Sequence, residues 1–83
     1  MHIAGVVVQS RPENLAAVQR RLQQVAGVEV HAVNPDGRFV VTIEDDHRHA
    51  VADRMYQLNA LEGVLSAFVV YEESEFTQAE ASQ

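Results

Sequence analysis

The sequence predicts an α+β domain in which two helices cover one face of a four-stranded antiparallel sheet, in the order βαββαβ. Three observations carry this. Apolar runs with strand character alternate with helical periodicity, giving strand-helix-strand twice. Leu22, Val25, Gly27 and Val28 recur 36 residues on as Leu58, Leu61, Gly63 and Val64. A strand-crossover-strand unit is right-handed, and two such units interleaved make the ferredoxin-like sheet, here with strand order 4-1-3-2.

Residues 3–8 (IAGVVV) read as the first strand, β-branched and ended by Ser10 and Pro12. Ser10-Arg11-Pro12-Glu13 has the spacing of a capping box with proline in the first turn. Leu15, Val18, Leu22 and Val25 then fall on one helical face, and Gly27 stops the helix. Residues 28–33 alternate as a second strand. Asn34-Pro35-Asp36-Gly37 is a turn sequence, and residues 38–44 return as the third strand. Asp45 and Asp46 are placed to cap a second helix, whose apolar face is Val51, Met55, Leu58 and Leu61 and whose stop is Gly63. Residues 64–72 form the last strand. The domain thus spans 1–73, and residues 74–83 read as a mobile acidic tail.

Composition narrows the functional classes. The chain has 83 residues, of which 47% are hydrophobic, and one domain of this size buries only about 60% of its unfolded surface. Such a domain holds a helix layer on a sheet and little room for an enclosed active site. There is no cysteine, which removes disulfides, thiol nucleophiles and thiolate metal sites. The formal charge is −6 and lysine is absent, so a phosphate backbone is repelled and a cationic partner is favoured. Nucleic acid is therefore not expected. No apolar run approaches the roughly 20 residues that span a bilayer, so membrane insertion is not expected either. Arg20-Arg21 is followed by a segment that Gln23, Gln24, Glu29 and His31 interrupt, so it reads as an exposed helix face and not as an export signal.

Signals for chemistry are weak, and the chain does not read as an enzyme. His47 and His49, two apart at a helix start, should point away from each other and chelate poorly. No serine-histidine-acid order stands out. The loop Gln9–Pro12 sits where acylphosphatases of this topology bind anions, but Pro12 removes an amide donor. RNA-recognition modules stack bases on aromatic sheet residues, and only Phe68 would serve here.

The sheet face left open by the helices is more informative. If Val33 pairs with Arg38 across the turn, then Val28, Val30, Ala32, Phe39, Val41 and Ile43 face the core. His31, Val33, Val40, Thr42 and Glu44 take the opposite phase. In the last strand Leu65, Ala67, Val69 and Tyr71 are expected inward, with Ser66, Phe68, Val70 and Glu72 outward. In the first strand Ala4, Val6 and Val8 are expected inward, leaving Ile3, Gly5, Val7 and Gln9 outside. The open face would then carry Val7, Val40, Phe68, Val70 and Val33, an apolar patch where a water-facing sheet is normally polar. Glu29, Glu44 and Glu72 would end at one edge of it as an acidic row. A ligand with one basic and one apolar end fits this pairing. A homodimer that covers the face is the competing occupant.

The segments GVVVQSRPENL, VAGVEV, GRFVVTIE and LEGVLSAFVVYEE resemble the NapD family, assembly chaperones of the periplasmic nitrate reductase. The resemblance runs from about residue 3 to residue 73 and rests most on Val7-Val8-Gln9, on Gly27 to Val30, and on Glu62 to Tyr71. It implies a cytoplasmic chaperone that binds the twin-arginine signal peptide of the nitrate reductase catalytic subunit and delays its export until cofactors are in place. It implies no cofactor of the chaperone's own. The other class that fits the residues is an acidic ligand-sensing module of the same topology, binding a small metabolite at a homodimer interface.

Overall fold

The computed structural model describes residues 1–74. The elements are β1 (His2–Ser10), a 3-10 turn (Pro12–Asn14), α1 (Leu15–Gln23), β2 (Val28–Asn34), β3 (Arg38–Asp45), α2 (Arg48–Ala60) and β4 (Val64–Ser74). The strands form one antiparallel sheet in the order β2-β3-β1-β4. This is the expected 4-1-3-2 sheet read from its other edge. The tail expected at 74–83 lies outside the described residues, apart from Ser74, which ends β4. Among the described residues no helix is long and apolar enough to cross a membrane.

The core lies between the helices and one face of the two central strands. Ala4, Val6 and Val8 of β1 are fully buried, as the expected phase requires, together with Phe39, Val41 and Ile43 of β3. Val18 and Leu22 of α1, and Val51 and Leu58 of α2, close over them. Leu15, Val25, Met55 and Leu61 are half-buried at the margins.

The internal repeat has a structural counterpart where the helices end. Gly27 and Gly63 both take positive φ, +79° and +92°, which side chains other than glycine adopt at a cost. The residue before each glycine offers its carbonyl to an arginine of the other helix. Arg54 Nε donates to Ala26 O at 2.9 Å, and Arg21 Nη1 donates to Glu62 O at 2.8 Å. Arg21 is therefore half-buried in a clasp, not free on an exposed face as the sequence suggested, while Arg20 is exposed.

The helix starts differ from expectation. Ser10 does not cap a helix. It remains in β1, 1% exposed, and its amide (2.8 Å) and hydroxyl (3.1 Å) both donate to Gly37 O in the β2–β3 turn. With that hydroxyl taken, the chain enters α1 through the 3-10 turn and has no side-chain cap. At α2 the N-cap is His47, and Asp45 acts from outside the helix by accepting the His47 amide at 3.1 Å.

Truncating the buried leucines should measure how far the core depends on the helix layer. Leu22→Ala and Leu58→Ala should each lower the unfolding free energy by about 2–5 kcal/mol, from lost transfer energy plus a cavity. Urea denaturation followed by far-UV circular dichroism checks this. A loss below about 0.5 kcal/mol would place these side chains in solvent.

Candidate functional site

The open face is set by register, and register departs from strict alternation at three places. The hairpin between β2 and β3 pairs Asn34 with Arg38, Val33 with Phe39 and Ala32 with Val40. Beyond His31 the pairing shifts by one, so that Val30 meets Val41 and Val28 meets Ile43. His31 is the extra residue of a bulge. The expected pairing of Val33 with Arg38 is thus wrong by one residue next to the turn and right beyond the bulge. Val33 lies opposite the buried Phe39, on the helix side, and Ala32 takes its place on the open face. Two further shifts occur between β1 and β4, leaving Leu65 and Val70 without partners in the pairing.

The shift at Val70 exchanges three side chains. Val69 pairs with buried Val6, but Tyr71 pairs with Gly5 and so emerges on the open face, contrary to the expected inward phase. Glu72 pairs with buried Ala4, which puts it on the helix side; a small crevice at that end of the sheet is bordered by Glu72 and Glu73 alike, with Arg48 and Val51 of α2. It therefore leaves the expected acidic row. Glu73 takes that place, opposite Ile3, which on its other side pairs with Glu44. Leu65, also expected inward, is 59% exposed because its position is the other irregularity of β4.

Four cross-strand rows result. Arg38, Gln9 and Ser66 form the row nearest the turn. Ala32, Val40, Val7 and Phe68 form the next, an apolar row with Val40 and Phe68 42% and 52% exposed. Glu29, Thr42, Gly5 and Tyr71 follow, and Glu44, Ile3 and Glu73 close the face. Val70, in the bulge, is exposed.

The candidate residues do not all present free polar groups. Gln9 donates its amide to Ser10 O at 2.9 Å and to Asp36 O at 3.3 Å, bracing the turn. Thr42 is only 9% exposed, and its Oγ1 lies 2.7 Å from His31 Nε2, which ties the β2 bulge to β3. Glu29 and Glu44 flank a cleft of about 430 Å³ with Thr42, and Glu44 also borders a second cleft of about 340 Å³ with Asp45 and Asp46. The edge at Glu44 is therefore acidic, with shallow hollows open to solvent beside it. Asp45 keeps its charge to lower pH than usual, because the His47 amide stabilises the carboxylate.

Two other places have site-like features. A cleft of about 520 Å³ lies between the helices and is lined by Arg21, Arg54, Val25 and Leu61 among others. Both helices end there, and the two arginines are engaged by carbonyls at those ends, so their charge offsets the helix dipoles. His47 and His49 do not point apart as expected. Their rings stack at 5.5 Å, because His47 precedes the helix and helical spacing does not apply. Among the described residues no cluster of three or more His, Asp or Glu side chains is arranged to hold a metal ion.

Tyr71 was missed by the sequence reading, and Gly5 was the available signal. A glycine inside a strand of valines marks a close approach. A Cβ at Gly5 would collide with three ring carbons of Tyr71.

The face can be checked without any ligand. Val40→Asp and Phe68→Asp should keep a near-native far-UV spectrum and a cooperative melt, whereas Val41→Asp, one residue along β3, should unfold the protein. Unfolding by all three would mean that the open face is core.

With this geometry in hand, similarity to known proteins is specific. The sequence model of a family described as NapD protein matches residues 1–76, and the chain belongs to that family. It is 28% identical over 75 residues to the chaperone NapD of Haemophilus influenzae, covering 89% of this chain and 81% of that protein. It is 30% identical over 73 residues to the chaperone NapD of Paracoccus pantotrophus, covering 88% and 64%. The solution structure of the E. coli Tat proofreading chaperone protein NapD superposes with a TM-score of 0.79 at 26% identity, covering 88% of this chain and 78% of that one.

Proposed function

We propose that this member of the NapD family is a cytoplasmic chaperone that holds the twin-arginine signal peptide of the periplasmic nitrate reductase catalytic subunit on its open sheet face. The observation that carries this reading is the order of surfaces along the strands. Carboxylates at Glu44, Glu73 and Glu29 come first, and the apolar row of Val40, Val7 and Phe68 follows. A twin-arginine signal has a basic end followed by an apolar stretch, so both of its parts meet a complementary surface in the right order. The naming of the E. coli relative as a Tat proofreading chaperone supports the same reading.

The four rows span about 20 Å at two residues per row, a length covered by about 13 helical residues. The peptide lies along the strands, with its arginines at the Glu44 edge. No bond is made or broken: the chaperone covers the arginines, keeping the precursor from the export machinery until it is assembled. Burial on the apolar row supplies most of the affinity. The carboxylates, exposed and at the rim, mainly steer encounter and fix direction. The chaperone needs no cofactor for this.

Calorimetry and stopped-flow with a synthetic signal peptide at two salt concentrations test the reading. Binding should weaken as salt rises, because exposed charges are screened over roughly 8–10 Å. Combining Glu29→Gln, Glu44→Gln and Glu73→Gln should slow association more than it speeds dissociation. Glu72→Gln, on the helix side, should change it much less. Salt-independent binding that the triple variant leaves unaltered would show that the rim takes no part. A wild-type protein that ignores the peptide and pairs through this face would favour the metabolite-sensing dimer.

A further inference from the structure

We infer that Tyr71 is the platform on which a guanidinium of the bound peptide stacks, and that it makes the site prefer arginine to lysine; this rests on the capture of an arginine-bearing peptide by the open face. Three observations meet at this residue. Its ring lies over Gly5, in the space where any other residue would place a side chain. Tyr71 is nonetheless 46% exposed, so the ring covers the central strand and still presents surface to solvent. Its surroundings on the face are acidic: Glu73 is two residues along the same strand, Glu44 lies across Ile3, and Glu29 ends the row of Tyr71 itself. No basic residue stands in these two rows.

Filling the gap above Gly5 accounts for the packing of the ring, and an aromatic-glycine cross-strand pair alone would need nothing more. It does not account for the surroundings. An aromatic face is electrostatically negative and attracts a cation. A guanidinium is planar and weakly hydrated, so it can lay its flat face on the ring while its edge N–H groups point outward to carboxylates. The ring and the Glu44–Ile3–Glu73 row offer those two contacts in different directions. An ammonium group is compact and strongly hydrated, and it gains less from a ring. Carboxylates attract both cations and already favour the guanidinium where its fork meets both oxygens; the ring adds a stacking contact that an ammonium matches poorly.

The test uses the full chain and two synthetic signal peptides, one with its arginine pair and one with two lysines in their place. Tyr71→Leu should weaken binding of the arginine peptide by roughly three- to thirtyfold and leave the lysine peptide nearly unchanged. Tyr71→Phe, which keeps the ring, should retain the wild-type preference. In the wild-type complex the arginine side-chain protons should shift upfield in the NMR spectrum through the ring current, which decides the matter even if Tyr71→Leu is unfolded. Equal losses for both peptides, or no upfield shift, would reduce Tyr71 to a filler over Gly5 and overturn the inference alone. A wild-type protein that binds neither peptide would overturn the capture reading along with it.

Discussion

One constraint governs this molecule: both crossovers lie on the same side of the sheet, so a single layer of helix must bury the apolar column Ala4, Val6 and Val8 of the central strand β1. Right-handed connection at α1 and again at α2 leaves no choice of side. With the helices spent there, nothing in the described chain covers the second face. The clasp between the helices belongs to the same economy. Arg21 and Arg54 cross-link the loops that end α2 and α1, at carbonyls related by the internal repeat. Two of the six basic residues are thereby committed to architecture, and the open face is left with an acidic end.

The parts of the fold that follow from periodicity were legible in the sequence. Strand and helix order, the sheet order, the inward phase of β1 and the buried positions of both helices all follow from apolar spacing and from glycine stops. The departures came from bulges. A bulge adds one residue and flips every side chain beyond it, and the strands that carry these bulges, β2 and β4, hold no glycine to mark them. That is why Val33, Tyr71 and Glu72 were assigned to the wrong faces, while Val7, Val40 and Phe68, which lie clear of the shifts, were assigned correctly. Glu72 and Glu73 are adjacent acids, so one of them reaches the acidic edge in either phase. The capping expectations at Ser10 and at Asp45 and Asp46 failed for a different reason: tertiary hydrogen bonding to Gly37, and an N-cap at His47, one residue beyond the aspartates, overrode local capping signals.

One sheet edge is partly closed to an added strand. Asn59 of α2 takes both backbone groups of Ala67, donating to its carbonyl at 3.2 Å and accepting its amide at 3.1 Å. Part of edge strand β4 is therefore already satisfied, which blunts strand addition there. The open face carries three surfaces at fixed spacing: a braced turn end at Gln9 and Arg38, an apolar row, and an acidic end. A partner matched to only one of them gains little. Under the proposed function, a segment with adjoining basic and apolar parts engages two at once and in one direction, which would make a small sheet selective without an enclosed pocket.

The most direct test of this account is an NMR titration of isotopically labelled protein with the synthetic signal peptide. Chemical-shift changes should concentrate at Val7, Val40, Phe68 and Tyr71 and extend to Glu44 and Glu73, with Arg21, Arg54 and the interhelical cleft unaffected. Changes centred on that cleft, with the sheet face silent, would contradict it.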